Sequence, residues 1–170
     1  MKNISFRNDV LPLKNVLYRL ALRITLSRED AEDIVQDTLI KVWNRRDDWQ
    51  DIASIEAYSL TVCRNLSLDK IKKAGNDNSP ISDDETNSAD SGRDPYERMM
   101  QRDRVEQVRR IVNGLPEKQR SCMQLRDFEG KSYKEIAGVL NISEEQVKVN
   151  IFRARQAVKQ KFNEIEKYGL

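Results

Sequence analysis

The chain has no histidine, and that single absence removes the usual general base and most zinc sites. Cysteine is almost as scarce: Cys63 and Cys122 stand far apart, each inside an apolar helical pattern. They read as buried free thiols of a reducing compartment, not as part of a disulfide framework. No Walker loop, GxGxxG turn or nucleophile elbow is present, so nucleotide-driven and acyl-transfer chemistry have no foothold. Nowhere do eighteen apolar residues run together, so no transmembrane helix and no direct membrane insertion are expected. The opening residues MKNISFRND lack the apolar core of a secretory signal. Enzymatic activity, a bound metal and a cofactor are therefore not expected.

What the chain does have is charge. Charged residues make up 34% of it and hydrophobic ones 38%, a balance that suits helices with narrow apolar stripes rather than one large core. A length of 170 residues permits one ordinary domain or two small ones. The net charge of +2 hides an uneven distribution. Residues 1–75 hold 13 basic against 11 acidic side chains, residues 76–98 hold 2 against 7, and residues 99–170 hold 15 against 10. The basic excess thus lies in the C-terminal part, as a phosphate-binding half requires.

The most informative stretch is Ser132–Arg155, SYKEIAGVLNISEEQVKVNIFRAR. Ser132 precedes Glu135 by three residues and Ser143 precedes Gln146 by three, so two helices each open with a capping box. Ile136, Ala137 and Leu140 share one face of the first, while Val147, Ile151, Ala154 and Val158 share one face of the second. Between them Asn141 occupies a position that wants a left-handed residue, for which asparagine is the commonest choice after glycine. Ala137 is small where the helices would cross. The pattern is that of a helix-turn-helix. With the apolar stripe turned inward, Lys148, Val149, Phe152, Arg153 and Gln156 face outward. Arg155, Lys159 and Lys161 add further positive charge. Glu144 and Glu145 in the first turn, with basic residues after them, also suit the helix dipole without any DNA. The crowding of basic residues beside a second capped helix favours the DNA-reading alternative.

Earlier in the chain, the spacing predicts a helix over Asn8–Leu26, with Pro12 in its first turn and Val10, Leu13, Leu17, Leu20 and Ile24 inward. Ser27 caps a second helix that buries Ala31, Ile34, Val35, Leu39 and Val42. Glu32, Asp33, Gln36 and Asp37 make an acidic patch near its start, which dipole complementation alone would also account for. The polar turn Arg45–Asp51 carries Trp49, outwardly placed by its polar surroundings. A third helix, about Ser54–Lys73, aligns Ile55, Tyr58, Val62, Leu66 and Ile71 and ends in Lys70, Lys72 and Lys73. Trp49, with Tyr58, Arg64 and Asn65, is suited to stacking on and hydrogen-bonding unpaired bases; equally, Trp49 is suited to lid a three-helix core. Gly75–Arg93 is so poor in large apolar residues that it reads as a flexible acidic linker. Beyond it, Tyr96–Val112 forms a charged helix with Val105, Val108, Ile111 and Val112 inward. A further helix from Leu115-Pro116 to about Phe128 buries Cys122, Met123 and Leu125. The expected fold is all-α: a helical domain over 1–75, a flexible acidic linker over 76–98 and a helix-turn-helix domain over 99–170.

These residues resemble those of bacterial RNA polymerase sigma factors of the sigma-70 family, in the extracytoplasmic-function class. REDAEDIVQDTLIKVW (Arg28–Trp43) is similar to the family's polymerase-clamp-binding helix, and RNLSLDKIKK (Arg64–Lys73) to its promoter-melting helix. LPEKQRSCMQLRDFEGKSYKEIAGVLNIS (Leu115–Ser143) and VKVNIFRAR (Val147–Arg155) are similar to its second domain. The resemblance runs in order along nearly the whole chain. It implies a promoter-specificity subunit whose partners are core RNA polymerase (beta and beta-prime subunits), promoter DNA and an anti-sigma factor, membrane-anchored or free. Glu32, Asp33, Gln36 and Asp37 would bind the clamp. Trp49, Tyr58, Arg64, Asn65, Lys70, Lys72 and Lys73 would hold the opened minus-ten strand, Trp49 and Asn65 flanking a flipped base. Lys148, Val149, Asn150, Phe152, Arg153, Arg155, Gln156 and Lys159 would serve the minus-thirty-five duplex. The linker would thread the polymerase's basic RNA path, and the location would be the cytoplasm, at the nucleoid. Val149 and Asn150 depart from the family's more frequent serine and arginine; Val149 offers a surface for a thymine methyl instead. Two rivals stand beside this reading: a self-sufficient helix-turn-helix regulator that binds duplex operators as a dimer, and a helical adaptor that binds only protein. The first has no use for the acidic patch, and the second leaves the basic face of the last helix unexplained.

Overall fold

The computed structural model describes residues 3–75 and 95–168, and every regular element among them is helical. The expected linker falls almost wholly on residues 76–94, outside those described. Seven α-helices follow in order: α1 Lys14–Thr25, α2 Arg28–Asn44, α3 Ile55–Ala74, α4 Pro95–Asn113, α5 Glu117–Met123, α6 Tyr133–Leu140 and α7 Glu144–Tyr168. Among the described residues, no helix is long and apolar enough to cross a membrane.

The N-terminal half is a bundle in which α1, α2 and α3 pack pairwise. The first helix begins later than its periodicity suggests. A π-helical turn over Phe6–Val10 and a 3₁₀ turn over Leu11–Leu13, holding Pro12, lead into α1. Proline fixes its own φ and lacks an N–H, so it enforces an irregular approach instead of a first α-turn. Leu17, Leu20, Ala21 and Ile24 are then buried along α1. It ends at Leu26, held left-handed at φ 59°. Ser27 caps α2 as expected, its hydroxyl accepting the Asp30 N–H at 3.3 Å. Ser54 does the same for α3, accepting from Ala57 at 3.1 Å.

Two expectations for this half need correcting. Trp49 is 6% exposed. Its ring meets the Trp43 ring edge-on, at 6.1 Å between centroids, and its indole N–H donates to the Val42 carbonyl at 2.9 Å. A buried indole needs an acceptor, and the Val42 carbonyl, which also takes the Arg45 N–H at 3.2 Å, supplies it. Trp49 therefore lids a small core with Val10 and Val42, flanked by Phe6, Ile52 and Tyr58. The second correction concerns α3, whose deeply buried residues are Ser59, Leu60, Cys63, Arg64 and Ser67. The larger apolar residues Tyr58, Val62 and Leu66 are half-buried, and Ile71 is exposed. Periodicity found a flank of the helix, because small hydroxylic residues occupy the closest approach. Ser59 and Ser67 satisfy themselves by donating to the carbonyls of Ile55 and Cys63.

The C-terminal half gathers α4, α5 and α6 around α7. Val112, Leu115, Met123 and Ala154 form one cluster where α4, α5 and α7 meet. Helix α4 already starts at Pro95. Its Ile111 and Val112 are buried, but Val105, expected inward, is 50% exposed. Helix α5 runs into a π-helical turn, Gln124–Phe128.

The halves do not stand apart. Helix α3 packs on α6, and α1 packs on α5. A single core cluster includes Leu17, Leu20, Leu60 and Cys63 from the first half and Cys122, Leu125, Ile136 and Val139 from the second. Burial pushes the Cys63 thiol up to about 12 and the Cys122 thiol to about 11, so both are neutral, unreactive packing groups.

Candidate nucleic-acid interface

The helix-turn-helix forms as its sequence dictates. The Ser132 hydroxyl accepts the Glu135 N–H at 3.1 Å while the Glu135 carboxylate accepts the Ser132 N–H at 3.1 Å. Ser143 and Gln146 repeat the arrangement at 3.1 and 3.0 Å. Asn141 sits in the left-handed region at φ 56°, ψ 49°. A side chain other than asparagine or glycine is strained there. Asn141→Ala should therefore cost about 1 kcal/mol, and Asn141→Gly should cost nothing measurable. Urea midpoints of the two variants test this, and equal midpoints would refute the assignment of strain.

Val147, Ile151 and Ala154 are buried and Val158 is half-buried, which fixes the outward face of α7. Lys148, Val149, Phe152, Arg153, Arg155, Gln156 and Lys159 are all exposed, Phe152 to 63%. An exposed phenylalanine and valine among cations have no role in the fold's own packing, whereas base edges and thymine methyls offer apolar surface. Arg155 and Asn150, both of the expected set, form hydrogen bonds within the protein. The Arg155 guanidinium pairs in bidentate fashion with Asp127, with its Nε at 3.1 Å. Asn150 is half-buried and donates its amide to the Gln146 carbonyl at 2.8 Å. Sequence reading also missed how Lys148 is held. Its ammonium lies 5.6 Å from the Tyr133 ring centroid, and the Arg126 guanidinium lies 4.5 Å from the same ring. Tyr133 opens α6, so cation–π attraction ties the outward face of α7 to the preceding helix.

The residues expected to meet the minus-ten strand do not form one open surface here. Asn65, Lys72 and Lys73 are exposed, Tyr58 is half-buried with the Arg45 guanidinium 6.0 Å from its ring, and Lys70 lies 3.9 Å from Asp30. Trp49 is packed inward as described. Arg64 is only 6% exposed; its Nε and one terminal nitrogen donate to the Glu117 carboxylate at 3.2 and 3.0 Å. Glu117 belongs to the other half of the chain, 53 residues away, so no local pattern could have indicated the pair.

The acidic face of α2 is open: Glu32, Asp33, Gln36 and Asp37 are all exposed. Dipole complementation does not account for them. That effect fades beyond the first turn, and the acidic residues in the first turn of α2 are Glu29 and Asp30. Ile40, unremarked in the sequence, is 56% exposed and follows Asp33, Gln36 and Asp37 on the same face. The signal was its position off the buried stripe.

Comparison with known proteins adds to this geometry. The family model "Sigma-70 region 2" matches residues 10–76, and "Sigma-70, region 4" matches residues 105–158. RNA polymerase sigma-H factor of Pseudomonas aeruginosa is 27% identical over 157 residues, covering 88% of this chain and 81% of that protein. ECF RNA polymerase sigma factor SigM of Bacillus subtilis is 27% identical over 155 residues, covering 88% and 90%. Among solved structures, the sigma factor RpoE in complex with the anti-sigma factor NepR, from Bartonella quintana, superposes with a TM-score of 0.75 at 23% identity. It covers 93% of this chain and 96% of that one. CnrH in complex with the cytosolic domain of CnrY gives a TM-score of 0.64 at 21% identity, covering 91% and 84%. With both halves matched in order, and with an exposed cationic face on the second helix of its helix-turn-helix, the chain belongs to the sigma-70 family of RNA polymerase sigma factors, in the extracytoplasmic-function class.

Proposed function

We propose that this protein is a promoter-specificity subunit: it binds core RNA polymerase, directs initiation at promoters with minus-ten and minus-thirty-five elements, and is held inactive by an anti-sigma factor. The observation that carries the reading is the pair of exposed faces on opposite halves of one chain. One is the acidic face of α2, with Asp33, Gln36 and Asp37; the other is the cationic and apolar face of α7. On this reading the first docks on the beta-prime clamp and the second enters the major groove. Asn65, Tyr58 and the basic end of α3 hold the melted strand, while Trp49 braces the turn from beneath. The anti-sigma partner, anchored in a membrane or free, acts on a protein working at the nucleoid in the cytoplasm.

The division of roles along α7 can be tested. Lys148, Val149 and Arg153 occupy the centre of the outward face and read bases, whereas Lys159 holds phosphate. Arg155, already bound to Asp127, stiffens the helix more than it reads DNA. Removing a base-reading arginine costs about 1–3 kcal/mol and relaxes preference at one position. Removing a phosphate contact weakens all sequences alike and lowers the salt slope by about one. Selection from a randomised minus-thirty-five element at two salt concentrations should show the first behaviour for Arg153→Ala and the second for Lys159→Ala. An unchanged selected sequence with Arg153→Ala would mean that the helix meets the groove by another face.

A further inference from the structure

One flank of α7 is tied to the chain that precedes the helix-turn-helix. Lys148 and Arg155 lie seven residues apart, two helical turns or about 10 Å along the same side. The Lys148 ammonium lies 5.6 Å from the Tyr133 ring centroid, and the Arg126 guanidinium lies 4.5 Å from the same centroid. Arg126 also donates to the Lys131 carbonyl at 2.9 Å. Arg155 meets Asp127 instead, through both its Nε and a terminal nitrogen. Asp127 stands in the π-helical turn Gln124–Phe128, 28 residues before its partner. Three cations thus gather beside the outward face of α7. Two of them rest on a ring, and the third is bound to a carboxylate.

A ring and a carboxylate do different things to a cation. Contact with a π face leaves the full charge in place, with N–H donors free for a phosphate. A bidentate carboxylate takes the place of a phosphate, since both offer paired oxygens to the guanidinium fork. Lys148, Arg153, Arg155, Lys159 and Lys161 are all exposed along α7, and among the described residues Arg155 alone of these five meets a carboxylate. Stability is a poor reason for the pair: the Arg155 side chain is 51% exposed, and exposed ion pairs contribute little. Its effect falls on DNA binding. Sequence-independent binding is almost wholly phosphate contact, and a helix with no base partner can slide until each free cation finds a phosphate. In the sequence-specific register the base-reading residues fix where the helix sits, so a further cation has no such choice. A freed Arg155 would therefore strengthen binding to random duplex more than to the preferred element.

We propose that Asp127 is a positioning residue that sets promoter selectivity: by occupying Arg155 it holds one cation of α7 back from the phosphate backbone, so that retention on DNA depends on base contacts. The proposal rests on the promoter-specificity reading above and deepens it. Asp127 itself touches no base and acts only through Arg155.

Fluorescence anisotropy of the full chain tests this over a series of salt concentrations. One labelled duplex carries the minus-thirty-five element selected as above, and the other carries the same bases scrambled. Asp127→Asn should tighten binding to the scrambled duplex by about threefold or more and steepen its log–log salt slope by about one, the value for one added phosphate contact. Binding to the selected duplex should tighten less, so the ratio of the two affinities falls. Adding Arg155→Ala to Asp127→Asn should restore the native slope and ratio, because neither charge then remains. A residue that only braces the turn would show no such rescue. Circular dichroism should report unchanged helicity in both variants. An unaltered slope and ratio with Asp127→Asn would overturn the proposal, and so would weaker binding to both duplexes. Either result leaves the promoter reading intact while the native chain prefers the selected element. A native chain that binds every duplex alike would overturn both.

Discussion

Trp49→Ala should destabilise the N-terminal domain by about 3–5 kcal/mol, the cost of emptying an aromatic site in a packed core. The ring fills the space between Val10 and Val42 and bears on Trp43. Its loss also strips the Val42 carbonyl of the indole donor. Trp49→Phe should cost about 1–2 kcal/mol, because most of the apolar volume stays and only the hydrogen bond goes. Urea denaturation followed by circular dichroism measures both. A loss under 1 kcal/mol for the alanine variant would place the ring outside the core. The conservative variant then separates packing from promoter chemistry. If Trp49 only braces the turn, Trp49→Phe should leave permanganate reactivity of the melted promoter unchanged. A melting defect with normal closed-complex formation would return the ring to the flipped base.

The largest effect on function is expected on α2. Asp33→Lys together with Asp37→Lys should weaken association with core polymerase by about a hundredfold, because juxtaposed like charges at an interface cost several kcal/mol. Both side chains are exposed and lie beyond the first helical turn. The Ser27 cap is untouched, so circular dichroism and the urea midpoint should stay within error of the native values. Co-elution on gel filtration reads the association. Ile40→Ala should weaken it less, through lost apolar contact alone. Undiminished co-elution of the double reversal would show that the acidic face serves something other than the polymerase.

Local chemistry was legible in the sequence. The caps at Ser27, Ser132 and Ser143, the left-handed Asn141 and the inward face of α7 each depend on residues within one or two helical turns, and each formed as written. Illegible features were those decided by distant partners. Trp49 stayed open between an outward ring that stacks on bases and a lid on the core, because its neighbours in the chain are charged; the ring reaches back seven residues to a helix carbonyl and lids the core. Arg64 and Arg155 were read as free cations, but their carboxylates come from Glu117 and Asp127. In α3 the period pointed to the bulky flank, since Ser59 and Ser67 are too small and polar to register as core. Pattern reading treats each helix as if it met a flat apolar surface; here α3 meets two helices of its own bundle on one side and α6 on another.

The central claim is that the chain confers promoter choice on a polymerase that lacks it. Reconstitution tests this most directly: purified chain and core RNA polymerase, run on a pool of genomic promoter fragments, with transcript ends mapped by sequencing. The account predicts that adding the chain yields starts confined to fragments sharing two conserved elements at fixed spacing, and that Asp33→Lys/Asp37→Lys abolishes them. Transcript ends no different from those of core polymerase alone, from a chain that folds and co-elutes with it, would contradict the account.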